Sequence, residues 1–274
     1  MPNVSTLLRY PGGKTKLYGY VSRLIDINEM RGCTYVEPFA GGAGLAIKLL
    51  LNGVVKDIVL NDIDYAIYSI WKVLLNHTDE LCDFIDNVPL NISEWQRQKA
   101  IYNNQNDYTQ IEVGLSAFYL NRTNVSGVLK GGVIGGFSQS GKYKINARFN
   151  RESLIKRART IAEHREHIHL YNWNATDFTL NILPNYKNCF VYFDPPYVNK
   201  GPCLYRNSFT KDDHIYLSQV ITACQFKWIV TYDKCDFIKK LYDGFENEIL
   251  SVYYSAGQTK NGDEIIIFNT NTDH

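Results

Sequence analysis

The chain has 274 residues, 45% of them apolar and 21% charged. It is too long for a disulfide-stapled miniature and apolar enough for burial to offset the entropy of ordering, which excludes wholesale disorder. Net charge is only +1, from 29 basic and 28 acidic residues, so the average alone points to no polyanionic partner.

TYVEPF (34–39) reads as a short strand and AGLAIKLLL (43–51) as a helix closed by Asn52-Gly53. DIVLND (57–62) is a second strand and YAIYSIWKVLL (65–75) a second helix. This alternation implies an α/β fold with a parallel sheet and right-handed crossovers. From Asn76 to Ala117 the pattern is helical without strands, and from Gly127 to Lys144 it is Gly-rich and hairpin-like. Residues 76–165 are therefore expected to form an insertion between core segments 1–75 and 166–274. After a helix at Arg151 to His164, strands return as HIHLYN, CFVYFD, FKWIVTYD and EIIIFN, with helices at DDHIYLSQVITAC and CDFIKKLY between them. FENEILSVYYSAGQTKNGDEIIIFN reads as an antiparallel hairpin finishing the sheet. The best apolar run, Leu45 to Val55, is broken by Lys48 and Asn52 and falls short of the ~20 residues of a membrane helix. MPNVSTLLRYPGGK carries no secretory pattern, so a cytoplasmic setting is expected. Cys33, Cys82, Cys189, Cys203, Cys224 and Cys235 are scattered without a CxxC pair, which predicts reduced thiols and no metal.

The near-zero net charge hides an asymmetry. Between Asn121 and Arg165 there are ten basic residues against Glu152 and Glu163, a window of +8. In SGVLKGGVIGGFSQSGKYK the charges interleave with Gly, Ser and Tyr, a composition suited to close approach to phosphates. Nucleic acid is the partner this window suggests.

Two sites carry chemistry. Glu37-Pro38-Phe39-Ala40-Gly41-Gly42-Ala43-Gly44 follows a strand and opens a helix, in the crevice where open α/β sheets bind ligands. Asp62 ends the next strand, placed to accept hydrogen bonds from two ribose hydroxyls. Together they predict an adenosine-containing cofactor, with the spacing alone compatible with a nicotinamide cofactor or S-adenosylmethionine. Against a dinucleotide, Gly42-Ala43-Gly44-Leu45-Ala46-Ile47 places Ile where GxGxxG needs a small residue. The second site is Asp194-Pro195-Pro196-Tyr197, at the end of the apolar strand CFVYF. Its prolines fix φ and remove two N–H donors, so the turn presents carboxylate, carbonyls and ring in fixed relation.

These motifs resemble, over nearly the whole chain, the Dam-type (class alpha, D12) N6-adenine DNA methyltransferases, which implies a Rossmann-like S-adenosylmethionine-dependent methyltransferase sheet with an inserted helical plus β-hairpin recognition domain. Leu8-Arg9-Tyr10-Pro11-Gly12-Gly13-Lys14 resembles the segment that contacts the cofactor's methionine end and whose lysine lies near DNA. The resemblance makes Glu37, Phe39, Ala40, Gly41 and Gly42 the methionine-binding loop and Asp62 with Ile63 the ribose-binding strand end. It makes Asp177 and Phe178, in Trp173-Asn174-Ala175-Thr176-Asp177-Phe178, the holders of the cofactor's adenine. Asn121-Arg122-Thr123-Asn124-Val125-Ser126-Gly127 and the hairpin after it resemble the DNA-reading part. One departure exists, since the usual Phe-x-Gly-x-Gly becomes Phe39-Ala40-Gly41-Gly42-Ala43.

The chemistry agrees. An adenine amine is a poor nucleophile because its lone pair is delocalised into the ring. Asp194 and the Pro195 carbonyl are expected to accept its two N–H bonds and free that pair for methyl transfer, by orientation and electrostatics rather than through a metal. Tyr197 is expected to stack on the base, flipped out of the duplex. Lys130, Lys142, Lys144 and Arg148 are the candidates for phosphate or guanine contacts, and Asn124, Ser126 and Gln139 for base edges. Arg122 is either a DNA contact or an anchor of the hairpin. The rivals are methylation of cytosine N4, whose family usually has Ser in place of Asp194, and of adenine in RNA. Cytosine C5 chemistry would need the Pro202-Cys203 pair, which no strand presents. A nicotinamide oxidoreductase leaves the DPPY turn unexplained, and a non-catalytic DNA-binding homologue would be expected to have lost one of the two intact motifs. A cognate restriction endonuclease and a monomeric state complete the expectations.

Overall fold

The computed structural model describes residues 6–10, 12–198, 209–254, 260–269 and 272–274. Pro11, the Pro202-Cys203 pair and the tip of the C-terminal hairpin lie outside them. In chain order the elements are α1 (Tyr18–Ile27), β1 (Thr34–Glu37), α2 (Gly44–Leu51), β2 (Asp57–Asn61), α3 (Tyr65–Asn76), α4 (Thr78–Asn87), α5 (Ile92–Asn103) and α6 (Gln110–Thr123). There follow α7 (Arg151–Ala162), β3 (Ile168–Tyr171), α8 (Ala175–Asn181), β4 (Cys189–Phe193), α9 (Lys211–Thr222), β5 (Lys227–Asp233), α10 (Asp236–Leu241), β6 (Asn247–Tyr254) and β7 (Lys260–Phe268). The expected α/β alternation is observed. Helix α1, which pattern reading did not single out, buries Val21, Leu24 and Ile25.

The chain divides into two compact units, residues 1–15, 41–48 and 64–170, and residues 16–40, 49–63 and 171–274. These are not the segments expected from the sequence, because α3 clusters with the helices of the insertion. The physical reason is a close helix contact. A Cβ on Gly114 of α6 would lie 2.5 Å from the Ser69 carbonyl oxygen and 2.7 Å from Val73 Cγ2 of α3, so only glycine permits this approach. Side chains start the helices of this unit. Asp64 accepts from the Ala66 amide, Asn91 from Glu94 and Asn150 from Ser153, and Thr109 and Glu112 form a reciprocal capping box.

The sheet has the order β3-β2-β1-β4-β5-β7-β6. Pairings β2–β1, β1–β4 and β4–β5 are parallel, and β5–β7 and β7–β6 antiparallel, as expected for the C-terminal hairpin. Strand order reverses between β1 and β4, the position where α/β sheets open a ligand crevice at their carboxyl ends. Both chemistry-bearing motifs begin there, Glu37 at the end of β1 and Asp194 directly after β4. All of β4 is buried, as a central parallel strand must be. In this unit Val36, Val191, Phe193, Trp228, Val230 and Ile267 pack with Phe178 of α8, Leu217 and Ile221 of α9 and Ile238 of α10.

The expected recognition hairpin is corrected. Among the described residues 124–148, pairing reduces to one isolated antiparallel bridge, Asn124–Val133. The backbone turns on itself instead, with Gly127, Gly135, Gly136 and Gln139 at positive φ, where an extended ladder cannot run. Gly-rich composition signalled turns, and the alternation that a hairpin needs was absent.

Candidate active site and nucleic-acid interface

Three loops of the second unit are tied by one side chain. Asn61, 1% exposed at the end of β2, donates from Nδ2 to the carbonyls of Pro38 and Trp173, both at 3.0 Å, and accepts from the Trp173 amide at 2.9 Å. Its own carbonyl accepts from the Ala40 amide. The EPFA loop, the NDID strand end and the WNATDF segment thus meet on one amide. Asn172 adds a second tie, donating to the carbonyls of Asp62 and Ile63. The motifs around Asn61 were legible, but its role as their common fastener was not.

Within this frame Glu37 is buried at the end of β1, while Asp62 is half-buried and Ile63 is exposed. Asp177 is exposed, but Phe178 is 0% exposed and packs at a tilt against Tyr171 with centroids 5.5 Å apart. The Phe178 ring belongs to the core, and the exposed apolar groups beside Asp62 are Ile63 and Trp173.

In the first unit, the Tyr10 side chain occupies the space left by two glycines. A Cβ on Gly41 would come within 2.8 Å of its Cε1, and one on Gly42 within 2.9 Å of its Cβ. Gly41 has φ 46° and Ala43 φ 43°. Ala43 thus holds the left-handed conformation at the position where the usual motif has glycine, so the departure in sequence is not a departure in backbone. Gly12 is exposed at φ 75°, and Lys14 is buried.

Asp194 is aimed by a hydroxyl relay. Thr231 of β5, 0% exposed, donates from Oγ1 to Asp194 Oδ1 at 3.0 Å. With its proton committed, Thr231 accepts from the Tyr192 hydroxyl at 2.8 Å. The carboxylate lies in an ordered polar chain rather than swinging in solvent. Pro195 and Pro196 are buried, and Tyr197 is buried with its hydroxyl donating to Glu264 Oε1. The Val198 amide donates to Asp233 Oδ1 at 3.0 Å. Thr231, Asp233 and Glu264 were not anticipated. The available signal was a polar residue in an otherwise apolar strand, as in KWIVTYD and DEIIIF.

The eight candidates for DNA contact split in two. Lys130, Lys142, Lys144 and Arg148 are exposed, and Ser126 is half-buried at φ 56°. Lys144 Nζ also donates to the Gln139 carbonyl, and the other three use polar atoms on partners inside the protein. Asn124 is 0% exposed, accepts from Trp95 Nε1 at 2.7 Å and donates to the carbonyls of Val128 and Leu129. Gln139 donates to the carbonyls of Ile134 and Gly136 and accepts from the Ile145 amide. Arg122 donates to the Arg148 carbonyl from Nε at 2.9 Å and Nη2 at 2.6 Å, the anchoring role weighed for it above. Burial pushes its guanidinium down to about 9, and repulsion from Arg9, Arg157 and Arg148 adds to this. Pattern reading missed the exposed rings on the same segment. Phe137 and Tyr143 are 63% and 57% exposed, Phe137 against the edge of Trp95 and Tyr143 under Lys142 Nζ at 5.8 Å.

Among the described residues no cluster of His, Cys, Asp and Glu suits a metal, the cysteines are free, and no helix is long and apolar enough to cross a membrane.

Comparison with known proteins gives concordant relatives. The chain is 25% identical over 266 residues to the type II methyltransferase M.MjaIII of Methanocaldococcus jannaschii, covering 88% of this chain and 89% of that one. It is 27% identical over 254 residues to the type II methyltransferase M.CviBI of Paramecium bursaria Chlorella virus NC1A, covering 87% and 86%. Among solved structures, the methyltransferase domain of bacterial CtHen1-CN aligns over 93% of this chain and 98% of that one, with TM-score 0.43 and 10% identity. Residues 10–255 match the family model for D12 class N6 adenine-specific DNA methyltransferases. The chain belongs to that family and is an adenine-specific DNA methyltransferase.

Proposed function

We propose that the enzyme moves a methyl group from S-adenosylmethionine to the exocyclic N6 of an adenine flipped out of duplex DNA, at a specific site, with Asp194 as the catalytic carboxylate. The observation that supports this reading is the Tyr192–Thr231–Asp194 relay, which holds a carboxylate in place directly after β4, next to the sheet's switch point. The cofactor fits the donor set. Glu37, Asp62, Asp177 and Asp194 are acceptors suited to ribose hydroxyls and to the ammonium and sulfonium charges of that molecule. In the second unit Glu37, Phe39, Ala40, Asp62, Ile63, Asp177 and Asp194 are assigned to hold it, while Tyr10, Gly12, Lys14, Gly41 and Gly42 carry the same assignment from their motifs. When bound it supplies an electrophilic methyl.

The protein's share is geometry and charge. Asp194 accepts one N–H of the adenine amine and the Pro195 carbonyl the other, drawing the nitrogen toward tetrahedral geometry and exposing its lone pair. The carboxylate stabilises the positive charge that the nitrogen gains as its bond to carbon forms, until a proton leaves. Tyr197 stacks on the flipped base, where ~1–3 kcal/mol of stacking offsets part of the unstacking cost. Lys130, Lys142, Lys144 and Arg148 meet phosphates. Segments 1–75 and 166–274 are proposed as the catalytic core and 76–165 as the target-reading part, in a cytoplasmic monomer that accompanies a restriction endonuclease.

The test is mass spectrometry of nucleosides from mixed duplex DNA and RNA incubated with the protein and S-adenosylmethionine. N6-methyladenosine in the deoxy pool is expected. N4-methylcytosine or a ribonucleoside product would overturn the substrate, and S-adenosylmethionine-independent product would overturn the cofactor.

A further inference from the structure

Strand β7 contains a carboxylate that packing does not account for. Glu264 is 1% exposed, and the residues after it, Ile265, Ile266, Ile267 and Phe268, are 0–1% exposed. Taking a carboxylate out of water at such a position costs several kcal/mol, whereas another branched apolar side chain would cost nothing of the kind. The neighbour across the ladder adds to the cost. Asp233 of β5 is directly in register with Glu264 and 6% exposed, so two acids lie opposite one another on adjacent strands, a pairing that is unfavourable by itself.

Both acids are spent on consecutive residues of one turn. Glu264 Oε1 accepts the Tyr197 hydroxyl, and Asp233 Oδ1 accepts the Val198 amide at 3.0 Å. Two residues before Asp233, on the same face of β5, Thr231 donates to Asp194. Pro195 and Pro196 have no N–H to offer, so the turn's rigidity must come from groups on either side of them. The strands supply those groups at three points.

From this juxtaposition we infer that Glu264 is a positioning residue of the methyl-transfer reaction, holding the Tyr197 ring at a fixed tilt, with Asp233 holding the Val198 amide beside it. The inference rests on the proposal that Tyr197 stacks on a flipped adenine. A ring fixed before the base arrives loses no rotamer freedom on stacking. A phenol donating to a carboxylate is also more electron-rich than a free one, which favours contact with a base that becomes positively charged as its amine is methylated. Thr231 and Glu264 thus orient the two chemical groups of one tetrapeptide, the acid and the ring.

The experiment combines Glu264→Gln, Tyr197→Phe and the double variant. Single-turnover methyl transfer is measured at saturating S-adenosylmethionine and DNA. Base unstacking is read by the fluorescence of duplex DNA carrying 2-aminopurine at the target adenine. Each single variant is expected to slow methyl transfer about 10-fold or more, with cofactor and DNA dissociation constants within about 3-fold of wild type and a smaller fluorescence rise. The double variant is expected to be no worse than the slower single one. A merely structural Glu264 would lower the melting temperature and leave rate and fluorescence unmoved. Near-wild-type rates in the variants, or independent multiplying losses, would overturn the inference. If Glu264→Gln does not fold, Tyr197→Phe decides alone, since it removes only the hydroxyl. Wild-type enzyme that methylates DNA with no fluorescence rise would overturn base flipping itself, an outcome distinct from failure of the variants.

Discussion

The DPPY turn and the Gly-rich segment 125–148 both depend on buried polar side chains, but they use them to opposite ends. In the turn, the groups that do chemistry are themselves held. Asp194 is tied by Thr231 and Tyr197 by Glu264. In and beside the Gly-rich segment, Arg122, Asn124 and Gln139 hold backbone groups, chiefly carbonyls, Lys144 donates to the Gln139 carbonyl, and Lys130, Lys142 and the rings of Phe137 and Tyr143 face solvent. The difference follows from the tasks proposed for them. Moving a methyl group requires sub-ångström placement of the acceptor's neighbours, whereas phosphates are met by long cationic chains whose heads adjust in water.

The largest expected effect falls on the fixed side of this comparison. Asp194→Ala should lower methyl transfer by at least about 10²–10³-fold, with melting temperature and DNA affinity close to wild type, read by transfer of a labelled methyl group into DNA. Retained activity with intact binding would mean that the relay aims nothing. On the other side, holding and contacting residues should separate. Asn124→Ala leaves Trp95 Nε1 and two carbonyls without their partner and should cost at least about 2 kcal/mol of stability in a denaturant titration. The pair Lys130→Gln and Lys142→Gln should leave stability unchanged and reduce the slope of log affinity against log salt by about 2. The reverse pattern would exchange the roles given to these residues.

A smaller effect concerns His214 of α9, whose ring nitrogens have no hydrogen-bond partner. It lies among Phe209, Tyr232 and Phe237. Burial lowers its affinity for a proton below the usual value of 6.5, against opposing attraction from Asp233 and Asp213. The unfolded chain therefore binds the proton first as pH falls through 6.5, so stability should drop below that pH by at most about 1.4 kcal/mol per unit. His214→Asn should flatten that part of the melting-temperature profile. Smallest of all, Ala43→Gly should stabilise by about 0.5 kcal/mol at an unchanged denaturant slope. Relief of a left-handed alanine slightly exceeds the entropy that glycine adds to the unfolded chain.

Much was legible without coordinates because local pattern carries it. β1, α2, β2 and α3 fell within a few residues of their expected bounds, since periods of 2 and 3.6 are properties of short stretches. EPFAGGAG, Asp62 and DPPY were legible as sites because strand ends followed by Gly or Pro are rare combinations with a definite geometry. The Gly-rich segment misled, since glycines announce a turn without saying whether strands flank it. Asn124 and Gln139 misled because an amide reads alike whether it faces a base edge or a backbone carbonyl.

By itself the sequence determined the strand–helix alternation at both ends of the chain, the parallel centre and antiparallel end of the sheet, and the two motifs on which the chemistry rests, all of them consequences of near neighbours along the chain. Only the tertiary structure decided that Thr231 aims Asp194, that Glu264 and Asp233 grip the residues after the prolines, that Asn61 fastens three loops and that Phe178 belongs to the core. Those pairings join residues 23 to 112 positions apart. Burial and the need to satisfy every buried polar atom select them, and neither condition exists until the chain has folded.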